Sequence, residues 1–156
     1  MDIFGEAKAD LKSRGVDQWQ NGYPDRSAAE ADIKAGVSYV SERGGKIAAT
    51  AAISFEKENC YEHLTGGRWL IPCERKYAVI HRIAASAGAK RKGAASELLD
   101  HAVSLCRKAE AESIKIDTHR DNKVMQQWLE KHGFIYCGCV KLDDGGERIA
   151  FEKLIL

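Results

Sequence analysis

The sequence predicts one α+β domain, and three observations carry the prediction. An apolar strand, Lys76–Ser86, runs into a cationic glycine stretch, Ala89-Lys90-Arg91-Lys92-Gly93-Ala94-Ala95-Ser96, and on into an amphipathic helix. A second strand, Ser113–Thr118, and a second helix ending at Gly133 follow it. Two hairpin signals, Arg43-Gly44-Gly45 and Asp143-Asp144-Gly145-Gly146, each separate a pair of strand-like runs. Helices and strands alternate without a linker, a repeat or a low-complexity segment, so the expected domain is the whole of residues 1–156.

The elements follow in order. Phe4, Ala7 and Leu11 recur at helical spacing, and Gly15 ends that helix. The loop Trp19-Gln20-Asn21-Gly22-Tyr23-Pro24 leads to Ser27-Ala28-Ala29-Glu30, which has the form of a capping box in which Ser27 caps a short helix stopping at Gly36. Val37–Val40 and Lys46–Phe55 read as hairpin strands, and Glu56–Arg75 as a polar, irregular connection that carries Tyr61, His63 and Trp69. After the strand Lys76–Ser86, the long helix buries Ala95, Leu98, Leu99, Ala102, Cys106 and Ala109 and leaves Glu97, Asp100, Ser104, Arg107 and Lys108 in water. The strand at Ser113–Thr118 should lie parallel to Lys76–Ser86 through a right-handed crossover. Asp121 or Asn122 caps a helix that buries Met125, Trp128, Leu129 and His132, and the strands Phe134–Leu142 and Glu147–Leu154 close the chain.

Charge and cysteine usage limit the partners. Lysine and arginine number 24 against 23 acidic residues, so no overall field draws the chain onto nucleic acid or a membrane. No apolar run is long enough to span a bilayer, and the N-terminus lacks a signal-peptide pattern. The five cysteines, Cys60, Cys73, Cys106, Cys137 and Cys139, are odd in number and lack the paired spacing of a zinc site, so no metal is expected. Cys137 and Cys139, two apart in a strand, should share a face, as a packed pair or a redox pair. The expectation is a reduced, cytoplasmic protein.

The cationic glycine stretch suits a phosphate. A helix N-terminus offers unpaired N–H groups and partial positive charge, and a glycine at its entry lets the backbone approach the ligand. The same pattern occurs in solvated loops; the strand before it and the segment after it favour the phosphate.

In these motifs the chain resembles the GNAT superfamily of N-acetyltransferases. Lys90-Arg91-Lys92-Gly93-Ala94-Ala95 is similar to the family's pyrophosphate loop (Gln or Arg, two residues, Gly, one residue, Gly or Ala), with lysine at the first position. Asn122-Lys123-Val124-Met125 and Leu129-Glu130-Lys131-His132-Gly133-Phe134 match its second motif. The resemblance implies a mixed, largely antiparallel central sheet flanked by helices, splayed between the strand ending near Ala85 and the strand Ser113–Thr118. It implies acetyl-CoA as co-substrate, its pantetheine arm paired with Ile83-Ala84-Ala85 and its pyrophosphate on Lys90, Arg91, Lys92, Gly93, Ala94, Ala95 and Ser96, with Asn122 and Met125 from the second motif. An extended, amide-bearing arm can add to a strand edge as another strand would.

The chemistry expected is acetyl transfer to the amine of a small-molecule acceptor. It needs a neutral amine, a stabilised oxyanion and an exit for the thiolate. Family members commonly protonate the thiolate with a tyrosine where this chain has Leu129; Tyr136 or a water stands as the substitute, or the thiolate leaves unprotonated. His81, on the strand that leads to the loop, is the candidate base, with a packed histidine as the alternative; Arg82 should alternate to the other face and brace the structure. Trp19, Tyr23 and Trp69 are the candidate acceptor contacts, or else lids on the core. Two other readings compete: a non-catalytic acyl-CoA-binding module of the same fold, and a nucleotide- or RNA-binding domain, which the balanced charge disfavours. Exposed edge strands of such a fold suit a homodimer.

Overall fold

Phe4 and Leu11 bury one stripe of the first helix, α1 (Asp2–Ser13), in the computed structural model, which describes all of residues 1–156. The chain continues through α2 (Arg26–Lys34), the hairpin β1 (Ser38–Arg43) and β2 (Lys46–Ser54), β3 (Tyr77–Ala85), α3 (Ala94–Ala109) and β4 (Ser113–Thr118). It ends with α4 (Lys123–Lys131), β5 (Ile135–Lys141) and β6 (Glu147–Leu154). The six strands form a sheet in the order β1-β2-β3-β4-β6-β5. The pairs β1/β2, β4/β6 and β5/β6 are antiparallel, and Tyr77–Val79 of β3 pairs in parallel with Ser113–Lys115 of β4. The mixed, largely antiparallel sheet and its helices are those the sequence implied.

One cap differs from expectation. Asp25, not Ser27, caps α2: its carboxylate accepts the Ala28 N–H at 2.9 Å and the Ser27 hydroxyl at 3.0 Å. Glu30, free of any capping box, pairs instead with Arg26 at 2.8 Å. A carboxylate two residues upstream outcompetes the hydroxyl because it carries full charge at the positive end of the helix. On α3 the buried stripe begins at Ala94 and runs through Leu98, Leu99, Ala102 and Cys106, while Ala95 and Ala109 are half-buried.

Contacts divide the chain into two compact units, Met1–Ser54 with Ile80–Ala102, and Phe55–Val79 with Val103–Leu156. The first draws its core from Ala49, Ala51, Ala52 and Ile53 of β2 and from Ala94, Leu98, Leu99 and Ala102 of α3. The second is centred on Tyr61, Tyr77, Val79, Val140 and Ala150. It also holds a fully buried ion pair, Lys115 Nζ to Glu152 Oε1 at 2.8 Å. Such a pair persists only if its remaining hydrogen-bonding capacity is met. Lys115 also donates to the Ile71 carbonyl at 2.8 Å and lies 4.1 Å from the Trp69 ring centroid, while Glu152 accepts from the Ser113 hydroxyl and the Leu70 and Ile71 N–H groups. The polar connection before β3 is thereby tied to the sheet.

The same connection crosses β5 at close range. Thr65 and Cys139 exchange backbone hydrogen bonds at 2.9 and 2.8 Å, and a Cβ on Gly67 or Gly138 would lie 2.0 Å from the Cys137 oxygen or 2.5 Å from the Thr65 oxygen. Only glycine fits there. The β5 register shifts between Tyr136 and Gly138, and this irregularity breaks the expected alternation of Cys137 and Cys139. Cys137 is buried with its thiol on the Ile135 carbonyl, whereas the Cys139 sulfur lies 3.7 Å from the exposed Tyr136 hydroxyl. All five cysteines are free thiols.

Candidate functional site

In the first unit the connection from β3 to α3 is anchored residue by residue. The Ser86 N–H donates to the Ala48 carbonyl at 2.8 Å, and the Ala87 N–H to Glu6 Oε2 of α1 at 2.6 Å. The Lys90 N–H returns to the Ser86 carbonyl at 3.0 Å, and the Lys92 N–H to the Ala89 carbonyl at 3.2 Å. Arg91 and Gly93 both have left-handed backbone, with φ 60° and 84°. The Gly93 carbonyl accepts from the Glu97 N–H at 3.0 Å, so the first turn of α3 is closed behind it. The N–H groups of Gly93, Ala94 and Ala95 have no acceptor in the protein. Successive unpaired N–H groups in such a turn form an anion-binding concavity at the positive end of a helix.

The cations divide their work. Arg91 and Lys92 are exposed and unpaired, whereas Lys90, at the loop's first position, is held by Asp10 of α1 at 3.1 Å. Burial pushes the Asp10 carboxyl up, but hydrogen bonds from Lys90 and Arg14 outweigh it and hold Asp10 below the usual carboxylate range. Ser96 follows in the first turn of α3, half-buried.

The second half of β3 carries His81, Arg82, Ile83, Ala84 and Ala85. Ala84 is buried and the other four are half-buried. Simple alternation fails at Arg82, whose φ is 53°. The bracing role expected of Arg82 holds all the same. It donates to Asp32 of α2 through Nε at 2.7 Å and Nη2 at 2.6 Å, and to the Tyr23 hydroxyl through Nη1 at 2.5 Å. Burial works against its charge, and the bonds to Asp32 and Tyr23 outweigh that and hold the guanidinium charged beyond its ordinary range. Trp19 packs edge-on against Phe4 at 6.0 Å.

In the second unit, Asn122 caps α4 by accepting the Met125 N–H at 3.3 Å. Met125 is half-buried and Leu129 fully buried, so no titratable side chain occupies that turn's inner face. Tyr136 is half exposed and packs edge-on against Phe151 at 5.8 Å. Its hydroxyl contact with Cys139, together with burial, keeps it protonated above the ordinary phenol range, so it can donate. Trp69 donates its Nε1–H to the Tyr61 carbonyl at 2.8 Å and covers the Lys115 ammonium.

Two further arrangements escape a reading of the sequence. Asp117, near the C-terminal end of β4, accepts the buried Tyr61 hydroxyl at 2.7 Å, 56 residues away in the chain. Burial and the Asp117 charge push the Tyr61 hydroxyl far up, so it serves as a fixed donor to that carboxylate. Arg43, which reads as part of a hairpin turn, reaches the Lys92 carbonyl at 2.6 Å and pairs with Glu97. No local signal announces either contact, since both partners are set by folding.

No curated protein sequence matches the chain. A GNAT-family acetyltransferase structure from Streptococcus agalactiae is 34% identical, covers 97% of this chain and 86% of its own, and superposes with a TM-score of 0.86. A GNAT-family acetyltransferase from Listeria monocytogenes, 20% identical, shares the fold over 98% of this chain and 86% of its own at a TM-score of 0.71. The ribosomal-protein-S18-alanine N-acetyltransferase of Escherichia coli, 18% identical, shares it over 85% and 79% at 0.60. The model of the acetyltransferase (GNAT) family matches residues 6–134, across both the loop that opens α3 and the α4 motif, and the chain therefore belongs to the GNAT acetyltransferases.

Proposed function

We propose that residues 1–156 act as one N-acetyltransferase domain that moves an acetyl group from acetyl-CoA to the amine of a small-molecule acceptor. The observation that carries the reading is the set of unpaired N–H groups at Gly93, Ala94 and Ala95 beside exposed Arg91 and Lys92. These donors fit a pyrophosphate: they are preorganised and face no competing protein acceptor, and two exposed side chains beside them add cationic charge. Ile83, Ala84 and Ala85 would offer backbone groups to the amide-bearing arm, and Ser96, Lys90, Asn122 and Met125 complete the co-substrate contacts of the proposal.

In the reaction, the amine nitrogen attacks the thioester carbonyl, the C–N bond forms, the C–S bond breaks, and the sulfur leaves as thiolate or thiol. His81 takes the proton of the incoming amine in this reading, and Tyr136 is the candidate donor to the thiolate. On the acceptor side, Tyr23 is the best supported wall residue, because Arg82 fixes its hydroxyl oxygen and leaves the O–H to donate. Trp19 and Trp69 are proposed with it, although Trp69 already spends its donor on Tyr61. The odd cysteine count and the balanced charge support a reduced, cytoplasmic setting with neither nucleic acid nor membrane as partner, and the edge strands β1 and β5 suit a homodimer.

Leu129 favours one alternative, a module that binds acyl-CoA without transferring the group, because the turn that would present an acid is buried and apolar. Thermal stabilisation by acetyl-CoA followed by a thiol-release screen over amine classes tests both readings. Stabilisation with thiol release on one amine class supports the transferase; stabilisation without release on any class supports the module.

A further inference from the structure

We infer that Arg43 is a positioning residue for the phosphate-binding loop: by gripping the Lys92 carbonyl it aims the Gly93 N–H into the anion site. The inference rests on the acetyl-CoA reading above and names a residue that lies outside the loop's own sequence.

The peptide between Lys92 and Gly93 is planar and trans, so its C=O and N–H point in opposite directions. Arg43 Nη1 donates to the Lys92 oxygen at 2.6 Å. Fixing that oxygen toward Arg43 turns the Gly93 N–H the other way, and no protein acceptor takes it. Left-handed backbone stands at Arg91, one residue before this peptide, and at Gly93, directly after it, with φ 60° and 84°. The left-handed conformation is strained for a non-glycine residue such as Arg91, so the loop needs an anchor to hold it before the ligand arrives.

Charge points the same way. Glu97 lies in the first turn of α3, where a carboxylate suits the helix but repels an anion seated at that end. Its two oxygens are taken, one by the Ser41 hydroxyl at 2.5 Å and the other by Arg43 Nη2. Both donors come from one face of β1, as residues two apart in a strand must. The β1–β2 register skips Ala48 opposite the step from Ser41 to Glu42, and the Ala48 carbonyl is the acceptor for Ser86 at the start of the same connection. The hairpin thus holds both ends of the loop. A Cβ placed on Gly93 would stand 3.8 Å from Arg43 Nη2, so the guanidinium borders the loop at the glycine itself.

The test compares the parent chain with Arg43→Met, Arg43→Gln and Arg43→Met/Glu97→Gln, by acetyl-CoA calorimetry, thermal unfolding and steady-state kinetics. The parent should bind acetyl-CoA, and each Arg43 variant should bind it about 10- to 100-fold more weakly, the range for losing hydrogen bonds from a charged donor. The KM for acetyl-CoA should rise by the same factor, while kcat at saturation and the KM for the acceptor stay at parental values, a split that general loosening of the fold would not give. Removing the Glu97 charge should restore only part of the loss. Parental affinity in a folded Arg43→Met or Arg43→Gln chain overturns the inference and leaves the acetyl-CoA reading intact. Full restoration in the double variant also overturns it, since Arg43 would then only neutralise Glu97. A parent that fails to bind acetyl-CoA overturns the underlying reading, and this inference with it.

Discussion

Arg82 and Asp32 meet in a two-bonded fork, Nε to Oδ2 at 2.7 Å and Nη2 to Oδ1 at 2.6 Å, with both side chains less than one-fifth exposed. The fork joins α2 to β3 and sets the position of the Tyr23 hydroxyl. Asp32→Asn should therefore destabilise the fold by about 3–5 kcal/mol, because it leaves a sheltered guanidinium without its counter-ion. Urea unfolding gives this value directly. Tyr23→Phe should cost only about 0.5–1.5 kcal/mol and should raise the KM for the acceptor without changing that for acetyl-CoA.

At Gly93, strain and charge can be separated. The site has room for a Cβ but a φ of 84°, so Gly93→Ala and Gly93→Glu should both lose about 1–2 kcal/mol of stability. Acetyl-CoA affinity, measured by calorimetry, should fall modestly for the alanine and below detection for the glutamate, which adds a carboxylate at the anion site. Equal affinities in the two variants would argue against a phosphate at this loop.

For the chemical step, His81→Ala should lower kcat about 10²–10⁴-fold with little change in acetyl-CoA affinity. Turnover of the parent should fall at acid pH, since the attacking amine must be unprotonated to react. Leu129→Tyr should raise turnover little. Single-turnover thiol release on the acceptor found by screening checks all three, and near-parental turnover in folded His81→Ala would leave a water chain as the base.

The buried Lys115–Glu152 pair should be costly to break and cheaper to replace. Lys115→Met alone strands the Glu152 carboxylate and should cost about 3–5 kcal/mol, whereas Lys115→Met/Glu152→Gln should recover part of it. For a chain of this size the single change corresponds to a drop in Tm of roughly 6–20 °C. Calorimetric melting reads both.

Burial pushes the thiols of Cys60, Cys106 and Cys137 up to about 11 from an ordinary 9.0; negative charges, Asp117 beside Cys60 and Glu152 beside Cys137, add to it. The native state thus holds these protons more tightly than the unfolded chain does. The stabilisation is complete below pH 9 and is lost as pH rises toward 11. Urea unfolding across that range should show the decline. At pH 8 the same thiols should react with an alkylating reagent far more slowly in the folded protein than in urea.

The sequence alone determined the order and type of the elements and the place of the cationic glycine loop that opens α3. Hydrophobic spacing, the two glycine turns and the Lys90–Ala95 motif are local signals, and each depends on residues a few positions apart. Even the cap of α2 lay within that local range and was misplaced by only two residues, because Asp25 and Ser27 are both competent acceptors and charge decides between them. The tertiary structure alone decided which distant side chains and backbone groups pair. Arg43 meets Lys92 across 49 residues, Arg82 meets Asp32 across 50, and Tyr61 meets Asp117 across 56. Nothing in the residues themselves selects such partners. A hydrogen bond or ion pair needs its two ends within about 3 Å, and only the folded arrangement of strands and helices supplies that distance.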